Sequence, residues 1–395
     1  MSTGHFEPAD VLAHIDPDEV VTVTQRLLRC AGTNPPGQEE ATARELASVA
    51  GELGLQVDLV EVLPGRPNVV VTLPGGEGGT LLLLGHTDVV PVGDGWTRDP
   101  FGGELAHGRI YGRGATDMKG GLAASLVAMA AVRRAGVTPS GPVVLVAAVD
   151  EEENGAGIRA WIAGQVPSLR GCIVAEPTEL QPIIAARGDS YLTVRVTGVA
   201  SHAGNPGDGR NAIGGAAAIV ADFERWHAEL AQAPAVLDGL VGPATLSVGT
   251  IHGGQSTSMV APECVLEVDR RLLPGDDPAQ VLAAARARVE ALDLSARGLS
   301  ADVEMTMDMP GFATPADDPF VRATLAALVD AGTPHQEPGG WTAACDGGFV
   351  ARDTDCPVVV LGPGSVTGQA HRPDESVGVQ ELVHATRTYA LLAAH

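Results

Sequence analysis

The stretch TLLLLGHTD, residues 80–88, decides the fold. Four consecutive leucines closed by a glycine leave no polar face, so the segment predicts a short strand buried on both sides, as in a helix-covered parallel sheet. It runs into His86-Thr87-Asp88, which places polar groups at the carboxyl end of a buried strand, where open α/β sheets carry their sites. Working outward, residues 143–149 (VVLVAAV) predict a second buried strand, ending in Asp150-Glu151-Glu152-Glu153. Residues 172–175 predict a third, ending in Glu176-Pro177-Thr178, and residues 357–362 a fourth, running into a GPG turn. Strands are also expected at 56–62 and 68–73. Helical spacing of apolar residues covers 17–30, 39–53, 120–135, 319–330 and 379–394. The alternation gives an α/β fold: a mainly parallel sheet with helices on both faces.

Between these parts the texture changes. SYLTVRVTG (190–198) alternates apolar and polar residues, as a half-exposed antiparallel strand does. Residues 245–251, 264–272 and 301–307 alternate likewise, with helices expected over 212–230 and 279–292. This is an α+β unit, an antiparallel sheet plus two helices. The expected organisation is one domain formed by residues 1–187 and 310–395, interrupted by an inserted domain over 188–309.

The 395 residues are 45% hydrophobic and carry a net charge of −24, enough apolar matter for a large core and too much negative charge for a nucleic-acid or anionic-membrane partner. The longest apolar runs are far too short to span a bilayer. The first residues (MSTGHFEPAD) lack the basic and apolar regions of a signal peptide, and the five scattered cysteines form no CxxC pair. A reducing, cytoplasmic location is the expectation.

Five segments carry polar groups to the predicted strand ends or the loops beside them: His86/Asp88, Asp117 in GRGATDMKGG (112–121), the acidic run 150–153, Glu176, and His371 in GQAHRPD (368–374). Each alone has an ordinary reading. Asp117 equally suits a helix N-cap, the acidic run a solvated loop, and His371 an unremarkable loop histidine. Together, two histidines and three carboxylates without cysteine form a ligand set for two divalent cations of the zinc, cobalt or manganese type. Two such ions offset three crowded carboxylates and leave a fourth free to act as a base.

With these motifs in order along the chain, HTDVVPVG, GRGATDMKGG, DEEENGAG, EPT, SHAG and AHRPDE, the sequence resembles the M20 metallopeptidases, the group of acetylornithine deacetylase, succinyl-diaminopimelate desuccinylase, aminoacylase and glutamate carboxypeptidase. The resemblance runs from about residue 17 to the end. It implies that His86, Asp117 and Glu176 hold one metal and Asp117, Glu152 and His371 the other, zinc first, with cobalt or manganese as alternatives. It implies that Glu151 is the general base, that Asp88 orients the His86 imidazole, and that a cis peptide bond follows Asp117. It makes the inserted domain a dimerisation or lid domain of a homodimer. His202 of SHAG then reaches the partner's substrate carbonyl, and Arg271 holds the substrate carboxylate with Arg187 as a second candidate. Ser258 stands where relatives usually carry a substrate-contacting Asn. The implied activity is hydrolysis of N-acyl-L-amino acids, with a dipeptidase or carboxypeptidase as the alternative.

Overall fold

The computed structural model describes residues 7–164 and 166–395, so the first six residues, on which the leader reading partly rests, lie outside it. Two compact units divide the chain. The first comprises Met1–Ile184, Thr314–Gly339 and Phe349–His395, the second Ala185–Ala313 and Gly340–Gly348.

The largest sheet runs in the order Gln56–Leu63, Arg66–Leu73, Val143–Ala148, Thr80–His86, Leu169–Val174, Val358–Val360, Ile183–Ala186, Phe312–Ala313. Only its four central strands are mutually parallel; Arg66–Leu73 joins Val143–Ala148 antiparallel, as Ile183–Ala186 joins Val358–Val360. The parallel core is thus narrower than the sequence predicts, because the hairpin Gln56–Leu73 supplies one edge. All seven residues of Thr80–His86 are buried. Leu81 and Leu83 join the large apolar cluster with helices Gly120–Arg134 and Val379–Ala394, while Leu82 and Leu84, also at 0% exposure, bury the opposite face. Truncating any of the four to Ala would cost about 2–5 kcal/mol.

Helix starts follow local chemistry. Pro17–Leu28, Pro278–Ala291 and Pro319–Asp330 each begin with an Asp whose carboxylate accepts a backbone N–H two residues on, followed by a proline whose missing N–H costs nothing there. Helix Gly120–Arg134 needs glycine at position 121, where a Cβ would lie 2.2 Å from the Ala175 carbonyl oxygen.

The second unit holds a four-stranded antiparallel sheet in the order Thr245–Gly253, Glu263–Arg271, Asp189–Thr197, Ser300–Met309. Helices Ala212–Leu230 and Pro278–Ala291 cover it, and their apolar residues share one core with the sheet.

Candidate active site

Three parallel strands end at the site. Thr80–His86 delivers His86, the loop after Val143–Ala148 delivers Glu151 and Glu152, and the loop after Leu169–Val174 delivers Glu176. The His86 ring is 1% exposed. Its Nδ1 lies 2.9 Å from the Asp88 carbonyl oxygen, which can only accept, so Nδ1 carries the hydrogen and Nε2 is left for the site. That Nε2 is 3.2 Å from Asp117 Oδ1, 3.3 Å from Glu176 Oε1 and 3.9 Å from Glu151 Oε2.

Asp117 is no helix cap: Lys119 holds the N-cap position of the following helix, which has no side-chain cap. The peptide bond to Met118 is cis. The second Asp117 oxygen, Oδ2, lies 3.3 Å from His371 Nε2, which is also 3.3 Å from Glu152 Oε1. One carboxylate therefore stands between two imidazoles, with Glu152 on the His371 side and Glu176 on the His86 side. Glu153 is exposed and outside the group. His86, Asp117 and Glu152 offer ligand atoms within 4.8 Å of one another, as do His86, Glu151 and Glu176.

The charges are crowded. Burial, then the Asp117 charge, pushes Glu176 up to about 7 and raises Glu152 in the same way. Burial also opposes the charges on Asp117 and His86. Hydrogen bonds from His371 and His86 nevertheless hold Asp117 below the usual carboxylate range, and Glu176 and Asp117 hold His86 well above the ordinary imidazole value. Asp117 and Glu152 raise His371 to about 10. His86 and Glu176 are buried, Asp117 is mostly buried, and His371 stands exposed at the rim; carboxylates and imidazoles crowded together in this way are a donor set that a divalent cation fits.

The carboxylate of Asp88 sits 3.5 Å from His86 Nδ1, farther than the Asp88 carbonyl. Its oxygens instead accept the backbone N–H groups of Glu151 (3.3 Å) and Glu152 (3.1 Å) and the Asn34 amide (3.0 Å). Sequence reasoning missed Asn34 and two further supports, Arg113 and Glu375. Arg113 lies within GRGATDMKGG and Glu375 within AHRPDE, so charged residues inside those two motifs were the available signal. Lys119, also buried, donates from Nζ to the Cys30 carbonyl and, at 2.9 Å, to that of Ala31; burial pulls its pKa down to about 8.

The remaining candidates belong to the second unit. His202 is exposed, and its Nδ1 accepts the Gly204 N–H at 3.0 Å. Ser258, also exposed, accepts the Ala203 N–H on its carbonyl at 2.9 Å, which puts the two segments side by side. Arg271 pairs with Asp189 at 3.1 Å and Asp269 at 2.9 Å. Arg187 donates to the Val241 carbonyl at 2.6 Å. Arg270 faces the other way, with its guanidinium 5.7 Å above the Trp226 ring. Among the described residues no helix is long and apolar enough to cross a membrane.

Residues 82–395 match the model of Peptidase family M20/M25/M40, and the chain belongs to that family. An acetylornithine deacetylase of Vibrio vulnificus (strain CMCP6) is 34% identical over 350 residues, 85% of this chain and 86% of its own length. Among solved structures, the M20 metallo-carboxypeptidase Sso-CP2 of Sulfolobus solfataricus superposes with a TM-score of 0.79 at 19% identity, over 96% of this chain and 99% of that one. The YXEP protein of Bacillus subtilis, described as a dinuclear metal-binding peptidase of the M20 family, gives 0.69 at 16% identity over 96% and 97%. These last two likenesses are of fold. The chain is an amidohydrolase of its family.

Proposed function

We propose that this M20 amidohydrolase removes the acyl group from N-acyl-L-amino acids that carry a free carboxylate. The observation that carries the reading is Asp117, set between His86 and His371 with a glutamate on either side. In this proposal His86, Asp117 and Glu176 hold one divalent ion and Asp117, Glu152 and His371 the second, with zinc ahead of cobalt or manganese. Ions so held would polarise an amide carbonyl and lower the pKa of water toward 7. Glu151, with an oxygen 3.9 Å from His86 Nε2, accepts the proton of the attacking water and delivers it to the leaving nitrogen. Asp88 holds the backbone of Glu151 and Glu152, so base and ligand keep their spacing.

From the second unit we assign the substrate carboxylate to Arg271, with Arg187 in support, and oxyanion stabilisation to His202 of a partner chain in a homodimer. Ser258 tunes the substrate contact. A cytoplasmic location completes the proposal. The deacetylase relative supports the acyl-amino-acid reading. The carboxypeptidase neighbour favours a dipeptidase or carboxypeptidase as the second reading. Hydrolysis of acetyl-, succinyl- and aminoacyl-amino acids with added zinc, cobalt or manganese separates them. Turnover of the acetyl or succinyl substrates supports the first, and turnover of dipeptides alone overturns it.

A further inference from the structure

Asn34 lies in the loop between helices Pro17–Leu28 and Glu40–Glu52 and is 2% exposed. Its Nδ2 sits 3.0 Å from Asp88 Oδ2 and 3.1 Å from Asp150 Oδ1. An amide nitrogen carries two hydrogens, so it donates one to each carboxylate. Asp88 and Asp150 are buried at 0% and 4% exposure, and each needs donors there. Asp88 takes its others from the main chain of Glu151 and Glu152. Asp150 takes its other from Arg66 Nη2 at 2.8 Å, and Arg66 is gripped in turn by the buried Glu39, with Nε 2.9 Å from Oε2.

Asp150 is where the chain turns from strand to site. Its φ is 69°, an uncommon backbone for a residue with a Cβ. Its carbonyl accepts the N–H groups of Asn154 at 3.0 Å and Gly155 at 2.6 Å, which closes the turn that carries Glu151 and Glu152. The turn is therefore pinned twice, at its amides by Asp88 and at its first side chain by Asp150, and Asn34 touches both pins. The Asn34 segment is itself tied down: its N–H donates to the Val89 carbonyl at 2.9 Å, and Lys119 holds the carbonyls just before it.

The geometry points to Asn34 as a positioning residue: it fixes the separation of Asp88 and Asp150, and so the places at which the Glu151 and Glu152 carboxylates enter the cluster. This rests on the proposed roles of Glu151 as base and Glu152 as ligand. Asn34 touches no reacting atom and acts through the two carboxylates.

Two variants test it. Asn34→Asp keeps the shape but replaces both donors with a third carboxylate, and Asn34→Ser keeps one donor and no charge. The readouts are kcat and KM of the metal-loaded enzyme on an N-acetyl-amino acid, the visible absorption of the cobalt-loaded protein, and the cobalt equivalents bound. Outer partners of metal sites are typically worth about 10–100-fold, so Asn34→Asp should lose about that much in kcat with KM within about threefold, and Asn34→Ser should lose less. In both, the cobalt band should shift, because Glu152 meets the ion from a changed position. Folded variants with kcat within about twofold of wild type and superimposable cobalt spectra overturn the proposal. If Asn34→Asp does not fold, Asn34→Ser decides by the same two readouts. A wild type that binds cobalt but hydrolyses no member of the substrate panel overturns the functional reading instead, and the spectra still judge Asn34.

Discussion

Glu375 accepts the main-chain N–H of Asp117 at 3.1 Å, across 258 residues of sequence. The same oxygen takes the Thr116 N–H at 2.9 Å, and the other pairs with Arg113 at 2.6 Å. The Glu375 side chain is 0% exposed and that of Arg113 2%. The carboxylate that faces both histidines is thus aimed by a buried ion pair whose acid comes from near the end of the chain.

Glu375→Ala should therefore destabilise the metal-free protein by about 3–5 kcal/mol, because it leaves the Arg113 charge and two amides without their acceptor. Urea unfolding measures it. The double change Glu375→Leu with Arg113→Met should lose less than the two single changes added together; strict additivity would mean that the pair does not act as a unit.

In the proposed roles Glu151 is base and not ligand, so Glu151→Ala should abolish turnover and leave two metal equivalents bound. Metal analysis of the purified variant decides it. Loss of one equivalent would move the base to a neighbouring glutamate and shift the ligand frame by one residue.

In the proposed ligand set Asp117 is shared by both ions, so Asp117→Ala should cost more bound metal than loss of any other proposed ligand; its side chain faces His86 at 3.2 Å and His371 at 3.3 Å. Titrating zinc into metal-free protein should give both sites weakened, whereas Glu176→Ala should weaken one. Two tight sites in the Asp117 variant would end its bridging role.

Arg271→Ala should lower kcat/KM on an N-acyl-amino acid but not on the matching carboxamide. Truncating a charged pair costs about 2–5 kcal/mol, and the lower end, about 30-fold, is expected here because Asp189 and Asp269 already share the guanidinium. Equal losses on both substrates would make Arg271 a structural residue.

Asp189 supplies a pH signature. Burial outweighs the nearby Arg271 and pushes its carboxyl up from 3.8 to about 6. The stability it contributes is present below about pH 4 and is lost as pH rises through 6, by at most about 3 kcal/mol. Asp189→Asn should flatten that part of the unfolding free-energy profile between pH 4 and 7. A profile parallel to wild type would mean that the carboxyl titrates normally.

Much of this was legible because burial writes itself into composition. The leucine run at 81–84 specified a two-sided strand, and helices 212–230, 319–330 and 379–394 fall where their periodicity put them. What stayed hidden was short or non-local. Helices Ala156–Ile162 and Gly347–Thr354 are too brief for a period to emerge, and the three-stranded sheet of Glu104–Ala106, Arg109–Tyr111 and Ser376–Gly378 joins segments far apart. At the site, ligand-type residues announce themselves by chemistry. Asn34 and Arg66 do not, because their meaning lies in contacts 54 and 84 residues away.

Helix Gly120–Arg134 is buried on every side from Gly120 to Val132. Its residues are buried, so its amide protons should trade with deuterium chiefly through the larger, cooperative openings of the surrounding unit. Asp117 is three residues upstream of that helix, on the same stretch of backbone. A segment expected to exchange slowly and the centre of the polar cluster thus share one stretch of backbone, and displacement of Asp117 should accompany the larger openings that expose the core.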